Sequence, residues 1–329
     1  MICDLRSAIP RRGVARDGSA LLLVLWLTIV LAAIVSVLAY SVNQQVEQTS
    51  YERRRLHAEA LAVSALEYTP KLMDDSRMAR GAAVSANGSR LDFARFPGHW
   101  RSDKLKVGDA PGSFTIEIED AEQRLNVNKT SREVWLSLLE LTDLTREDMD
   151  KWIDSLQDWT DADDAYQING AENEYYGRLK PPYRARNAPL THLGEIFLIK
   201  NGPLIAQARL KGGGPRILDL LTIEGDGRVN VNTAPAAVLA ALGQMDLGTA
   251  QGWVSQRAGA DKVPGTLDDV PLDPGLVSPG GTNRILKTQS EYFVVKGIGE
   301  VDGIQASRSA LFTWRAGGLK KVKEIDPLP

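Results

Sequence analysis

The sequence has few of the residues that form disulfide frameworks and zinc sites. It contains one cysteine, Cys3, and three histidines, His57, His99 and His192, in 329 residues. One thiol cannot form a disulfide within the chain, and scattered histidines without cysteines do not make a tetrahedral zinc site. No nucleophile-elbow motif accompanies the serines and aspartates. The sequence therefore predicts a protein that is not an enzyme.

The chain also lacks a large excess of charge of either sign. It has 39 basic and 42 acidic side chains, a net charge of −3 and 43% hydrophobic residues, which is an ordinary globular composition. The segment NVNTAPAAVLAAL (230–242) resembles the start of a DNA-binding helix-hairpin-helix. The Gly-x-Gly turn of that module is missing, however, and an acidic chain attracts phosphate poorly. No nucleic-acid partner is predicted.

One long hydrophobic run stands apart from this soluble-looking average. No charged residue occurs from Gly18 to Val46, and residues 20–39 are almost wholly apolar. About 20 apolar residues at a rise of 1.5 Å match the thickness of a bilayer core. Basic residues before the run keep the N-terminus in the cytoplasm and place the rest of the chain outside it; they are Arg6, Arg11, Arg12 and Arg16. We expect residues 19–42 to form the transmembrane part of an N-terminal helix.

Three interpretations of this N-terminus compete. A cleaved secretory signal has an apolar core of only about 7–15 residues, so this run is too long for one. An ordinary signal anchor fits. The third interpretation rests on Gly18, which separates a basic leader (1–18) from the apolar run: this arrangement resembles a type IV pilin or pseudopilin precursor. That resemblance implies a prepilin peptidase that cuts between Gly18 and Ser19, and methylation of the new amine. The apolar spacing continues as an amphipathic helix to about Leu72.

The remaining chain predicts an α+β fold. Alternating residues predict a strand at 113–120, and further strands are expected within 290–301, 310–316 and 320–325. Between them lies a helix-rich region, which indicates one α+β domain with a large all-α insertion. The resemblance to pilin precursors implies a pilin-like fold, in which a long N-terminal helix packs on a small antiparallel sheet. The predicted boundaries are 43–130 for the first part of the pilin-like domain, 131–285 for the insertion and 286–329 for the C-terminal strands.

Two similar sequence segments divide the insertion. RLNVNKTSREVWLSLLEL (124–141) resembles RVNVNTAPAAVLAAL (228–242), with Asn-Val-Asn before an apolar helix in both. The pattern predicts two helical halves of SAM-like or helix-hairpin-helix-like form, at about 131–215 and 216–285. Thr130 and Thr233 are the predicted N-caps of the two helices. Shared capping chemistry without duplication is the alternative.

The densest acidic cluster lies on a loop within residues 157–190. Hard oxygen ligands crowded on a loop suit Ca²⁺. With Asp161 counted as position one of an EF-hand, Asp163, Asn169 and Glu172 occupy positions three, nine and twelve, but Tyr166 stands where that loop needs glycine. The loop is therefore not an EF-hand. The alternative is a solvated acidic turn neutralised by Arg178, Arg184 and Arg186.

Ordered motifs in this loop resemble the type II secretion system protein K family. They are Asp-Trp-x-Asp-x-Asp (158–163), Gly-Ala-Glu (170–172), Tyr-Tyr (175–176), Pro-Pro-Tyr-Arg (181–184), Asn-x-Pro (187–189) and Leu-Gly-Glu (193–195). The leader agrees, with Trp26 in the eighth place after Gly18 and Leu23 where most pilin-like proteins carry Glu. The resemblance implies structural calcium, with Asp161, Asp163 and Glu172 as the principal ligands and Glu174 and Asn169 as secondary ones.

The same resemblance implies a function. It predicts a minor pseudopilin at the tip of the type II secretion pseudopilus, anchored by a single pass in the inner membrane with its C-terminal domain in the periplasm. The implied partners are the I and J minor pseudopilins, the major pseudopilin and the prepilin peptidase. A signal-anchored periplasmic calcium-binding protein or hydrolase is the alternative.

Overall fold

A computed structural model describes residues 17–78, 83–84, 90–91, 96–277, 285–315 and 318–325. Cys3 and the predicted leader up to residue 16 lie outside these ranges. The chain divides into two compact units, Met1–Leu56 and His57–Pro329.

The regular elements follow one another as long helix, strands, helical block and strands. The helices are α1 (Asp17–Met78), α2 (Arg132–Leu139), α3 (Arg146–Thr160), α4 (Asn173–Gly177), α5 (Gly202–Gln207), α6 (Ala236–Gly243), α7 (Leu247–Arg257) and α8 (Pro274–Val277). The strands are β1 (Ala83–Val84), β2 (Arg90–Leu91), β3 (His99–Arg101), β4 (Ser113–Asp120), β5 (Leu125–Asn126), β6 (Leu221–Thr222), β7 (Val229–Asn230), β8 (Leu286–Lys287), β9 (Tyr292–Val301), β10 (Ile304–Arg315) and β11 (Gly318–Ile325). Short 3₁₀ helices lie at Ala121–Gln123, Leu193–Leu198 and Ile217–Leu220.

Helix α1 has two chemically different parts. Its N-terminal part exposes large apolar side chains, including Leu23 and Trp26. The segment Ala20–Asp75 is long and apolar enough, by length and composition, to cross a membrane. The later part buries Ala58, Ala62 and Ala65 at helical spacing. The helix ends at Met78, one to two turns beyond the predicted end near Leu72.

The later part of α1 packs on an antiparallel sheet with strand order β11-β10-β9-β4-β3. Alternating residues of β4, Ile116 and Ile118, are fully buried, as the period of a strand facing a core requires. The four predicted strands are all present, and a two-residue Asp302-Gly303 turn joins β9 to β10. His99 begins β3, because its backbone pairs with Glu119 at the sheet edge. The predicted α+β, pilin-like class is confirmed.

Two glycines of β9 let helix and sheet approach closely. A Cβ atom at Gly297 would lie 2.2 Å from the carbonyl oxygen of Ala62, and one at Gly299 would lie 1.9 Å from that of Ala58. Both distances are far shorter than van der Waals contact, so any side chain at these positions would push α1 away from β9.

The helical block contains the same backbone motif twice. In the first copy β5 pairs in parallel with β6, and in the second β7 pairs in parallel with β8. Asn126 Oδ1 accepts a hydrogen bond from Asn128 N at 3.0 Å, and Asn230 Oδ1 accepts one from Asn232 N at 3.0 Å. The Asn-Val-Asn motif that occurs twice in the sequence therefore corresponds to a repeated turn that precedes α2 and α6.

The predicted helix caps were wrong by one or two residues. Ser131 caps α2 by accepting from Val134 N, and Pro235 occupies the cap of α6 without a side-chain bond. Thr130 donates instead to the carbonyl of Asn126, and Thr233 donates to Asp120 Oδ2 at 2.6 Å. Each threonine closes the turn before its helix and does not start the helix.

A buried polar network ties the second copy to the sheet. Asp120, at the end of β4, accepts hydrogen bonds from Thr233, Ser290 and the backbone of Glu122. Glu122 in turn pairs with Lys287 at 2.5 Å, and both side chains are less than a tenth exposed. Buried charges need such partners, and removing one partner alone is costly.

We predict that Gly299→Val destabilises the protein by about 1–3 kcal/mol, because the added atoms collide with the backbone of Ala58. Gly252 in α7 has open space around its Cβ position, so Gly252→Ala is the matched control and should be neutral or slightly stabilising. Thermal unfolding of the detergent-solubilised chain measures both. Equal melting temperatures for Gly299→Val and the wild type would contradict the close approach of α1 and β9.

Candidate metal centre

The acidic loop begins where α3 ends. The buried face of this helix carries Trp152, Leu156 and Trp159, and places Asp154 and Asp158 beside them. Asp161 follows as the C-cap in an extended conformation, so the chain leaves the helix there and carries the next carboxylates outward. An amphipathic helix thus fixes the start of the loop.

Three of the predicted ligands converge. Oxygens of Asp161, Asp163 and Glu172 all lie within 4.8 Å of one another. Glu172 is only 1% exposed, and neither of its carboxylate oxygens has a hydrogen-bond partner; Asp161 Oδ1 also lacks one. Burying an unpaired carboxylate lowers the stability of the folded protein. Among residues 96–277, no lysine or arginine forms an ion pair with any of the three.

Two of the three arginines considered as neutralising partners pair with other carboxylates. Arg178 pairs with Glu174, and Arg186 pairs with Glu195 at 3.3 Å. Lys200 donates to the carbonyl oxygens of Asn169 and Gly170, at 3.1 and 2.9 Å. The positive side chains near the described loop therefore bind other groups of the loop. They leave the three carboxylates without a counter-charge.

The electrostatics of the cluster follow from this crowding. Burial, and then the charges of Asp158 and Asp161, raise the pKa of Glu172 to about 7. Burial likewise raises the pKa of Asp161, with Asp163 adding to the shift. Because the folded pKa of Glu172 exceeds its ordinary value, its protonated form stabilises the ion-free protein at low pH, and this contribution is lost as the pH rises through 7.

The donor set fits a calcium ion. Ca²⁺ binds oxygen ligands at 2.3–2.6 Å, so ligands on opposite sides of the ion lie about 4.6–5.2 Å apart. The carboxylate oxygens lie within 4.8 Å of one another, which is close enough for them to share one such ion. Carboxylates without sulfur or imidazole are hard ligands, which favour calcium or magnesium over zinc.

Two other predicted ligands have hydrogen-bond partners elsewhere in the loop. The Asn169 amide donates to Asp154 Oδ2 at 2.9 Å, and its backbone N–H donates to the same oxygen. Glu174 accepts from the Tyr166 hydroxyl at 3.1 Å and pairs with Arg178. Both residues shape the loop, and neither belongs to the group of three.

Two further aspartates hold the loop against α3. Asp158, which is fully buried, accepts from Gln167 N at 3.1 Å, and a Cβ atom at Gly170 would lie 1.8 Å from its Oδ2. Asp154 pairs with Arg132 at 2.6 Å while it holds Asn169. Glycine at position 170 is therefore required by the close passage of the loop over Asp158.

Asn187 is a candidate ligand that the sequence reasoning did not single out. It has a positive φ of 48°, which asparagine tolerates better than most residues, and its amide donates to the carbonyl of Asp163 at 3.1 Å. Its Oδ1 is buried without a partner. The only signal in the sequence is its place in the Asn-x-Pro motif.

Comparisons with known proteins agree with this architecture. A family model described as type II secretion system protein K matches residues 115–211, and a second of the same description matches residues 229–270. The type II secretion system protein K of Pectobacterium carotovorum is 25% identical over 85% of this chain and 87% of its own length. That of Aeromonas hydrophila is 26% identical over 90% and 92%.

A solved structure shares the fold. One chain of the GspK–GspI–GspJ complex from the type 2 secretion system of enterotoxigenic Escherichia coli superposes with a TM-score of 0.52. The alignment covers 87% of this chain and 100% of that one at 18% identity, which supports the fold alone. The two family-model matches, the relatives that align over most of their length and the shared fold all support assignment of this chain to the type II secretion system protein K family.

Proposed function

We propose that the protein is a minor pseudopilin that assembles through α1 at the tip of a secretion pseudopilus and supports export of folded proteins. The observation that carries the proposal is α1 itself, one continuous helix with exposed apolar residues in its first part and a sheet-packed face in its later part. The first part would lie in the inner membrane before it bundles with the helices of partner subunits. The role is structural, and the C-terminal domain would lie in the periplasm.

The proposed partners are other pseudopilins. The similar solved chain comes from a complex that also contains GspI and GspJ, which supports subunits of those two kinds as neighbours of this chain. Leu23 stands where a carboxylate would pair with the N-terminal amine of a neighbouring subunit, and a carboxylate in lipid needs such a partner. Without that pairing, the protein suits a terminal position in the pseudopilus, with the major pseudopilin below it.

We further propose that Asp161, Asp163 and Glu172 bind a structural calcium ion, with Asn187 Oδ1 as an additional oxygen ligand. The support is the unpaired burial of Glu172 and the spacing of the three carboxylates. The ion would offset the repulsion among the carboxylates and hold the loop against α3. It would have no part in bond-making chemistry.

Substitution of Gly18 tests the assembly role. We expect Gly18→Ala to abolish cleavage by the prepilin peptidase and secretion with it, while Gly13→Ala, a second glycine of the leader, leaves both intact. Mass spectrometry of the wild-type protein should find a methylated Ser19 at the N-terminus. A mature protein that keeps its leader would contradict the proposal and favour a signal-anchored protein of another function.

Isothermal titration with Ca²⁺ tests the metal site. Glu172→Gln keeps the size of the side chain but removes its charge, so calcium affinity should fall by more than the roughly 10–100-fold typical of outer-shell changes. Glu174→Gln is the matched control, since this carboxylate is two residues away and bonded to Tyr166 and Arg178. The site would be wrongly assigned if Glu174→Gln removed binding and Glu172→Gln did not.

A further inference from the structure

A second polar site lies in the other copy of the repeat. A cavity of about 270 Å³ opens between the start of β9 and the loop that follows α7. Its apolar wall includes Phe96, Pro97 and Phe293, and its polar wall includes Arg257 and Asp269. The space is large enough for several water molecules or for one group of amino-acid size.

Arg257 supplies unused hydrogen-bond donors at this cavity. It is the last residue of α7, and its Nη1 donates to the carbonyl oxygen of Val231 at 2.7 Å. Its other N–H groups have no acceptor within hydrogen-bond distance among the described residues, and no carboxylate there pairs with it. Burial lowers the pKa of Arg257 to about 10, although the nearby Asp269 opposes the shift. A partly buried guanidinium with free donors is suited to a carboxylate, which it can bind through two parallel hydrogen bonds.

Asp269 limits which anion can enter. Its Oδ2 accepts from Gly265 N at 2.7 Å, whereas its Oδ1 is buried and has no partner. The negative charge of Asp269 disfavours a doubly charged ligand such as sulfate, because like charges repel strongly where water is scarce. A ligand with one negative charge and an adjacent N–H group suits both Arg257 and Asp269.

Part of the cavity lining is apolar. Phe293 is 1% exposed, and Phe96 and Pro97 are partly buried beside it. Val270, which also lines the cavity, is about half exposed. A ligand that fills the cavity therefore needs an apolar body joined to its charged end.

We propose that this cavity binds the carboxyl-terminal residue of a partner polypeptide. The terminal carboxylate accepts hydrogen bonds from Arg257, the terminal N–H supplies the donor that Asp269 lacks, and an apolar terminal side chain packs against Phe96, Pro97 and Phe293. A terminal residue carries these three features on adjacent atoms, whereas acetate lacks the body and a peptide amide lacks the charge. The site is separate from the carboxylate cluster and does not depend on the proposed role in the pseudopilus.

The test is a ligand-observed NMR titration of the detergent-solubilised full chain with N-acetyl-L-leucine, which carries all three features. For a ligand of this size we expect a Kd of about 1 mM. N-acetyl-L-leucine amide should not bind. Arg257→Gln should weaken binding at least about tenfold, and Arg209→Gln, at an exposed arginine in the first copy, should leave it unchanged. Equal binding of the acid and the amide would overturn the proposal.

Two further measurements distinguish the proposed site from a folding defect of the variant and from a site that binds any anion. In the wild-type protein, N-acetyl-L-leucine should slow modification of Arg257 by phenylglyoxal, as followed by peptide mass spectrometry, whereas its amide should not. Sulfate should compete poorly with N-acetyl-L-leucine, and Asp269→Asn should improve sulfate binding. No protection of Arg257, or equal competition by sulfate in the wild type, would contradict a terminal-carboxylate site.

Discussion

Repulsion among Asp161, Asp163 and Glu172 is the constraint on which the acidic loop depends. Their oxygens lie within 4.8 Å of one another, and Glu172 is almost fully buried. The surrounding hydrogen bonds force this crowding, since Asp154 and Asp158 draw the loop onto α3 and Lys200 closes its rim. A proton on Glu172 or a bound cation relieves the repulsion. The hydrogen bonds of the loop therefore bring the three carboxylates together, and calcium would neutralise their charge.

The repeated Asn-Val-Asn turn explains how one helical block supports two different sites. Both copies use a parallel strand pair and the same asparagine bond to start a helix, and α2 and α6 pack in one shared core. The copies differ in the segment after their second helix. After α3 the chain carries the acidic loop, whereas α7 ends at Arg257 beside the cavity. The turns that begin the helices are therefore alike in the two copies, whereas the segments that follow α3 and α7 differ.

Elements that show a regular spacing of apolar residues could be predicted from the sequence. The alternation of SFTIEIED and the long apolar helix each reflect a local preference that tertiary packing reinforces. Features that depend on distant partners could not. His99 joins a strand because Glu119 lies beside it, Thr233 bonds to Asp120 across more than a hundred residues, and Asn169 turns to Asp154. A list of acidic residues likewise cannot say which carboxylates converge, because that depends on where α3 ends and how the loop returns over Gly170.

The proton balance of calcium binding tests the central claim most directly. If a cation displaces the proton that Glu172 holds in the ion-free protein, calcium titrations in buffers of different ionisation enthalpy should report between about half a proton and one proton released per ion at pH 6.5. The same titrations at pH 8.5 should report almost none, since Glu172, with a pKa of about 7, is already ionised there. Equal proton release at both pH values, or none at pH 6.5, would contradict a buried Glu172 shared between proton and calcium.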